Sequence, residues 1–169
     1  MKPILAFAAT LIALGTPAFA AGDREPATPK CKAGQVYDGR MKMCVKAEAG
    51  ILDDKSLADY AYVLAKDGRY EEALATLDLM KDGETAEALN YRGYATRKLG
   101  RLEEGIAFYQ RAVALDPDYT LVREYLGEAY VTQGKLDLAK NELAEIQKRC
   151  GTTCEPYEDL AEAIEAAEG

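Results

Sequence analysis

Beyond about residue 54, apolar residues return every three or four positions, the spacing that gives a helix one apolar face. Leu57, Tyr60, Ala61 and Leu64 form one such set; Ala73, Leu77 and Met80 form the next. The rhythm stops and restarts at Asp67-Gly68, Asp82-Gly83 and Asp116-Pro117, where turn-forming residues cluster. This pattern predicts helices over about 54–66, 70–81, 85–99, 102–115, 120–133, 136–149 and 155–168. Asp53 or Asp54 caps the first, and Pro117 stops the fourth because proline cannot continue a helix. The last helix carries Tyr157, Leu160, Ala161 and Ile164 as its stripe and acids elsewhere, which suits a terminal cap with one wet face.

The first part of the chain follows other patterns. Ile4 to Leu14 is an apolar run interrupted only by Thr10, too short to span a bilayer comfortably. Lys2 precedes it, Gly15 and Pro17 end it, and Ala18-Phe19-Ala20 places small residues at a cleavage position. Residues 1–20 therefore read as an export signal, cut after Ala20 or after Ala21. Residues 21–30, AGDREPATPK, have the composition of a flexible linker. In residues 31–45, Val36 and Tyr37 favour a strand, Asp38-Gly39 a turn, and Met41 to Val45 a returning strand. Residues 46–53 lead into the helices.

Certain residues recur at a fixed interval. Gly93 and Gly127 are 34 apart, as are Gly100 and Gly134, and Gly68 precedes Gly100 by 32. The central copy carries Leu89, Gly93, Tyr109, Ala112 and Pro117; the third carries Leu126, Gly127, Tyr130 and Ala139; the first carries Leu57, Tyr60, Ala61, Leu64 and Ala73. In this frame the chain resembles the tetratricopeptide repeat (TPR) family, whose 34-residue unit is a helix pair. Arg92, Thr96 and Gly105 depart from the family pattern in the central copy, and the third lacks a closing proline. The resemblance implies an all-α solenoid of three repeats, at 54–85, 86–119 and 120–154. A capping helix at 155–169 follows, and the cysteine-closed hairpin precedes.

Composition narrows the function. Hydrophobic residues are 49% and charged residues 30%, a globular balance. A net charge of -8 disfavours nucleic acid and anionic lipid as partners. The chain has no histidine, which removes Ser-His and Cys-His nucleophiles, a histidine base and histidine metal ligands. No catalytic residue, metal site or cofactor is expected. Four cysteines behind an export signal point to disulfides, and three pairings are possible. Local pairing, Cys31 with Cys44 and Cys150 with Cys154, fits best, because the two clusters sit at opposite ends of the array. A redox-active dithiol is disfavoured: the spacing is not C-x-x-C and no βαβ pattern surrounds it.

The TPR resemblance implies a groove lined by the first helix of each pair. Projected onto this chain, its partner-binding residues are Tyr62, Lys66, Asn90, Tyr94, Arg97, Lys98, Glu124 and Glu128. Tyr62 and Tyr94 with Lys66, Arg97 and Lys98 form a basic, aromatic patch near the first two copies, and Glu124 and Glu128 lie at the other end. Such a surface suits an extended protein or peptide segment with an acidic or carboxylate portion. The expected function is a non-catalytic, periplasmic or secreted scaffold or adaptor. The alternative is a cell-wall or glycan-binding protein that uses the Cys31–Cys44 hairpin as a knob and the array as a spacer. A stapled spacer without a ligand is the plain reading of that hairpin, since no aromatic cluster is evident in it.

Overall fold

The structure, a computed structural model, describes residues 29–169. The expected export signal, and the expected linker up to residue 28, lie outside the described residues. A two-stranded antiparallel hairpin, β1 (Gln35–Asp38) and β2 (Met43–Lys46), comes first. Seven helices follow: α1 (Asp54–Lys66), α2 (Tyr70–Leu77), α3 (Ala86–Lys98), α4 (Leu102–Leu115), α5 (Thr120–Thr132), α6 (Leu136–Cys150) and α7 (Glu155–Glu168). None is long and apolar enough to cross a membrane.

Local chemistry explains the boundaries. The Asp53 carboxylate accepts the Ser56 N–H at 2.8 Å and so caps α1; the Thr85 hydroxyl accepts the Ala88 N–H and caps α3. The first helix of every pair ends in the same way. Gly68, Gly100 and Gly134 take φ of 78°, 83° and 71°, a left-handed conformation that glycine adopts without a Cβ clash. The N–H of the next residue then reaches back into the last turn: Arg69 to the Leu64 carbonyl, Arg101 to Thr96, and Lys135 to Tyr130, at 2.9, 3.2 and 2.9 Å. These three glycines recur in the sequence because the same turn recurs.

The second helix of the first pair is shorter than expected and stops at Leu77 instead of near Lys81. The Asp54 carboxylate accepts the backbone N–H groups of Lys81 and Asp82 at 2.8 and 2.9 Å, bending the chain back to the start of α1. The hairpin also departs from its expected register. Its return strand is Met43–Lys46, because Asp38 accepts the N–H groups of Arg40 and Met41 and lengthens the turn through Lys42.

Two apolar clusters fill the array. One joins Leu89, Tyr109, Val122, Leu126 and Ile146 to Leu160 and Ile164 of α7. The other joins Leu57, Tyr60, Leu64 and Leu77 to Cys31 and Val36 of the hairpin. Half-buried Tyr94 on α3 packs against both. The hairpin is therefore neither a separate knob nor a spacer. The Cys31 N–H donates to the Tyr60 hydroxyl at 3.2 Å, and Arg69, held by Glu72, donates to the Cys31 carbonyl at 3.1 Å. Cys31 and Cys44 are bonded, with Cα atoms 5.6 Å apart, and the hairpin covers the outer side of α1 as α7 covers α5 and α6. A second disulfide, Cys150–Cys154, ties the end of α6 to the start of α7.

Close helix contacts depend on missing side chains. A Cβ on Gly93 would lie 2.6 Å from the Tyr109 ring of α4. A Cβ on Gly127 would lie 2.4 Å from Leu160, so that glycine opens room for the cap and not for its own pair partner α6.

Candidate functional site

The odd-numbered helices stand side by side, α1 against α3, α3 against α5 and α5 against α7. Their common face is built of tyrosines. Tyr62 of α1 meets Tyr91 of α3 with ring centroids 5.2 Å apart, and Tyr94 of α3 meets Tyr125 of α5 at 5.4 Å. Tyr94 is the hub. The Lys66 ammonium lies 5.7 Å from its ring centroid, that of Lys98 5.4 Å, and the Arg97 guanidinium 6.0 Å; Lys66 also lies 5.9 Å from Tyr62. A cation over an aromatic face at an exposed site stabilises by about 0.5–1 kcal/mol, so these contacts hold the lysines over the rings while leaving their charge in water. Tyr62 is 37% exposed, and Lys66 and Lys98 are exposed.

The expected site residues divide into four groups. Tyr62, Lys66, Tyr94 and Lys98 come together as one cationic, aromatic face. Arg97 and Glu128, assigned from the sequence to opposite ends of the groove, form an ion pair at 2.8 Å and largely cancel one another. Asn90 does not face a partner: it is fully buried and donates to the Tyr119 hydroxyl at 3.3 Å. It lies one helical turn before Tyr94 on the same side of α3, where Tyr119 at the start of α5 covers it. Glu124 is also buried, at 3% exposure, and its Oε2 has no hydrogen-bond partner. Burial first, then the charges of Glu128, Asp159 and Glu155, push its carboxyl up to about 8, with Lys66 opposing.

Sequence reasoning missed Tyr91, Tyr125, Glu155 and Asp159. The last two stand one turn apart on exposed positions of α7, a helix read only as a cap. Packed beside α5, α7 takes the place that the first helix of another repeat would take, and its acids extend the face. Their spacing of four was visible in the sequence, but its direction toward Glu124 was not.

A second concavity lies between the hairpin and α1. It is a cleft of about 160 Å³ lined by Tyr37, Gly39, Ser56, Asp59, Tyr60 and Val63.

Comparison with known proteins bears on this architecture. A TPR repeat family model matches residues 93–134, from the first close-packed glycine of α3 to the turn glycine after α5. The chain is similar to the TPR repeat-containing thioredoxin TTL4 of Arabidopsis thaliana, at 29% identity over 107 residues. That match takes in 62% of this chain and only 16% of the relative's length. Among solved structures, the fold is similar to that of MamA, with a TM-score of 0.57 and 22% identity over 68% of each chain. It is also similar to the Yersinia enterocolitica type III secretion chaperone SycD in complex with a peptide of the translocator YopD. There the TM-score is 0.58 and identity 20%, over 70% of this chain and 96% of that one. The TPR repeat family model thus matches the centre of the array, and the helix pairs and glycine turns on either side of it are similar to that repeat.

Proposed function

We propose that this protein is a non-catalytic scaffold or adaptor, and that a protein or peptide segment lies across the face made by α1, α3 and α5. The observation that carries the reading is the set of exposed lysines held over Tyr62 and Tyr94. An otherwise acidic protein keeps a cationic, aromatic surface there, suited to carboxylates and to stacking. The SycD structure, of similar fold, is a complex with a peptide. The apolar run and small-residue site in residues 1–20 support a periplasmic or secreted location.

Crosslinking capture from periplasm with the mature protein tests this, followed by affinity measurement on variants. Lys66 and Lys98 changed together to Glu should weaken the captured partner by at least tenfold, as should Tyr94→Ala. Lys135 and Lys148 changed to Glu on the α6 side should have little effect. Equal losses in both sets would reject the face. Arg97 is a poor test residue, because Glu128 already holds its charge.

A second reading is favoured by the cleft beneath the hairpin. Half-buried Tyr37, with the Ser56 hydroxyl across from it, offers an aromatic wall and a polar group to a sugar ring. Sedimentation with purified cell wall, reduced by Tyr37→Ala but not by the lysine variants, would favour that reading over the first.

A further inference from the structure

At the α5–α7 end of the same face, acids gather without a matching cation. Among the described residues, Glu128 is paired with Arg97, whereas Glu155 and Asp159 are in no ion pair. Glu124, on α5 where it packs against α7, is nearly closed off from water, with one carboxyl oxygen unpartnered. A buried polar atom without a partner is uncommon and is relieved by any donor that reaches it. No three acids among the described residues stand close enough to hold a metal ion. A guanidinium spreads five N–H donors over a planar fork and so reaches acids that do not converge on a single ion, and an ammonium on a long stem reaches Glu124 as a point charge.

We propose that Glu124, Glu155 and Asp159 together seat a cationic side chain, lysine or arginine, of the peptide bound on this face; the proposal rests on the peptide-binding reading above. The face then has a direction. Lys66 and Lys98 meet the acidic part of the peptide, and the α5–α7 end meets its basic part. A partner with the charges in the reverse order along the groove sets like charges against each other at both ends.

A proton is coupled to this seat. The charged groups acting on Glu124 are Glu128 on α5, Glu155 and Asp159 on α7, and Lys66 on α1; its chain neighbour Tyr125 is kept neutral by burial, and the Arg97 guanidinium of α3 is taken up by Glu128. Burial first, and then the neighbouring acids with only Lys66 opposing them, keep the proton on the Glu124 carboxyl near neutral pH. An arriving cation reverses that balance. The ion pair forms with the carboxylate, and the Glu124 proton passes to solvent. Few other groups confuse the measurement: histidine is absent and the four cysteines are in disulfides.

The test is titration calorimetry of the whole mature protein with a blocked five-residue peptide carrying two arginines, beside its citrulline twin of the same size and no charge. The arginine peptide should bind about tenfold more tightly at pH 8.5 than at pH 6.5, as the ionised fraction of Glu124 rises. Its heat at pH 7 should depend on the ionisation heat of the buffer, reporting proton release. Glu124→Gln should remove both effects, and Glu103→Gln on the outer side of α4 should leave them intact. Equal binding of the citrulline twin, a flat pH profile, or no binding of the arginine peptide overturns the seat. A glutamate- and tyrosine-containing peptide in the same titration separates the outcomes. If it binds through Lys66 and Lys98 while the arginine peptide fails, the peptide-binding face stands without the seat; if both fail, both readings fall.

Discussion

Two side chains decide much at the residue scale. Glu124 titrates well above an ordinary glutamate, so between pH 4.5 and 8 the folded protein holds a proton that the unfolded chain has released. Stability from this group is full below the unfolded value, falls as pH rises through that window, and levels off above 8. Glu124→Gln removes the titration. Relative to the parent, the variant should therefore gain about 3 kcal/mol between pH 5 and pH 7.5, read as the divergence of two denaturant-unfolding series. Parallel series would mean the carboxyl is ionised in the fold. Gly127 acts by volume. Leu160 is fully buried and cannot swing away, so Gly127→Ala should cost about 1–3 kcal/mol by overpacking. Adding Leu160→Ala should cost less in that background than alone, because the new methyl fills part of the gap. Strict additivity would place the alanine elsewhere.

Elements explain why a three-pair array is closed at both ends. A terminal helix of a solenoid has one side that no further repeat covers. The α7 cap solves this with Leu160 and Ile164 on one side and acids on the other. The β1–β2 hairpin solves it for α1 with far fewer residues, using Val36, the buried Cys31 and the bond between Cys31 and Cys44. A hairpin this small does not hold its shape alone. Replacing Cys31 and Cys44 by Ser should cost about 3 kcal/mol, given their separation of 13 residues. It should also speed amide exchange along α1. Exchange confined to the hairpin, with α1 still protected, would mean that the array stands without this cap. The Cys150–Cys154 bond encloses a separation of only 4, and its removal should cost less.

For the whole molecule the governing feature is charge placed against the average. A net charge of -8 repels acidic partners at long range, yet the tyrosine face presents Lys66 and Lys98 to them at short range. A partner held there should bind more weakly as salt is raised from 50 to 500 mM, because exposed pairs are screened. The slope against salt should shrink in the Lys66, Lys98 double variant. A salt-independent affinity lost only with Tyr94→Ala would assign the binding to stacking alone. The exposed acids of α7 lie on the same face, so the molecule is polarised along the direction in which its helices are stacked.

The sequence by itself determined the repeats. Apolar spacing, the glycines at 68, 100 and 134, and proline after the fourth helix are local rules, and a local rule can be read without knowing what packs where. It also brought Tyr62, Tyr94, Lys66 and Lys98 to one side, since they follow helical period on helices of known order. Tertiary structure alone decided the rest. Asn90 and Glu124 look like solvated polar residues in the sequence, but burial depends on which neighbour covers a helix face, and here α5 and α7 do. Arg97 met Glu128 because α3 and α5 pack at a particular distance, a quantity no spacing in the chain records. The hairpin became a cap because α1 left apolar surface open beside it, and an open surface exists only after the array has formed.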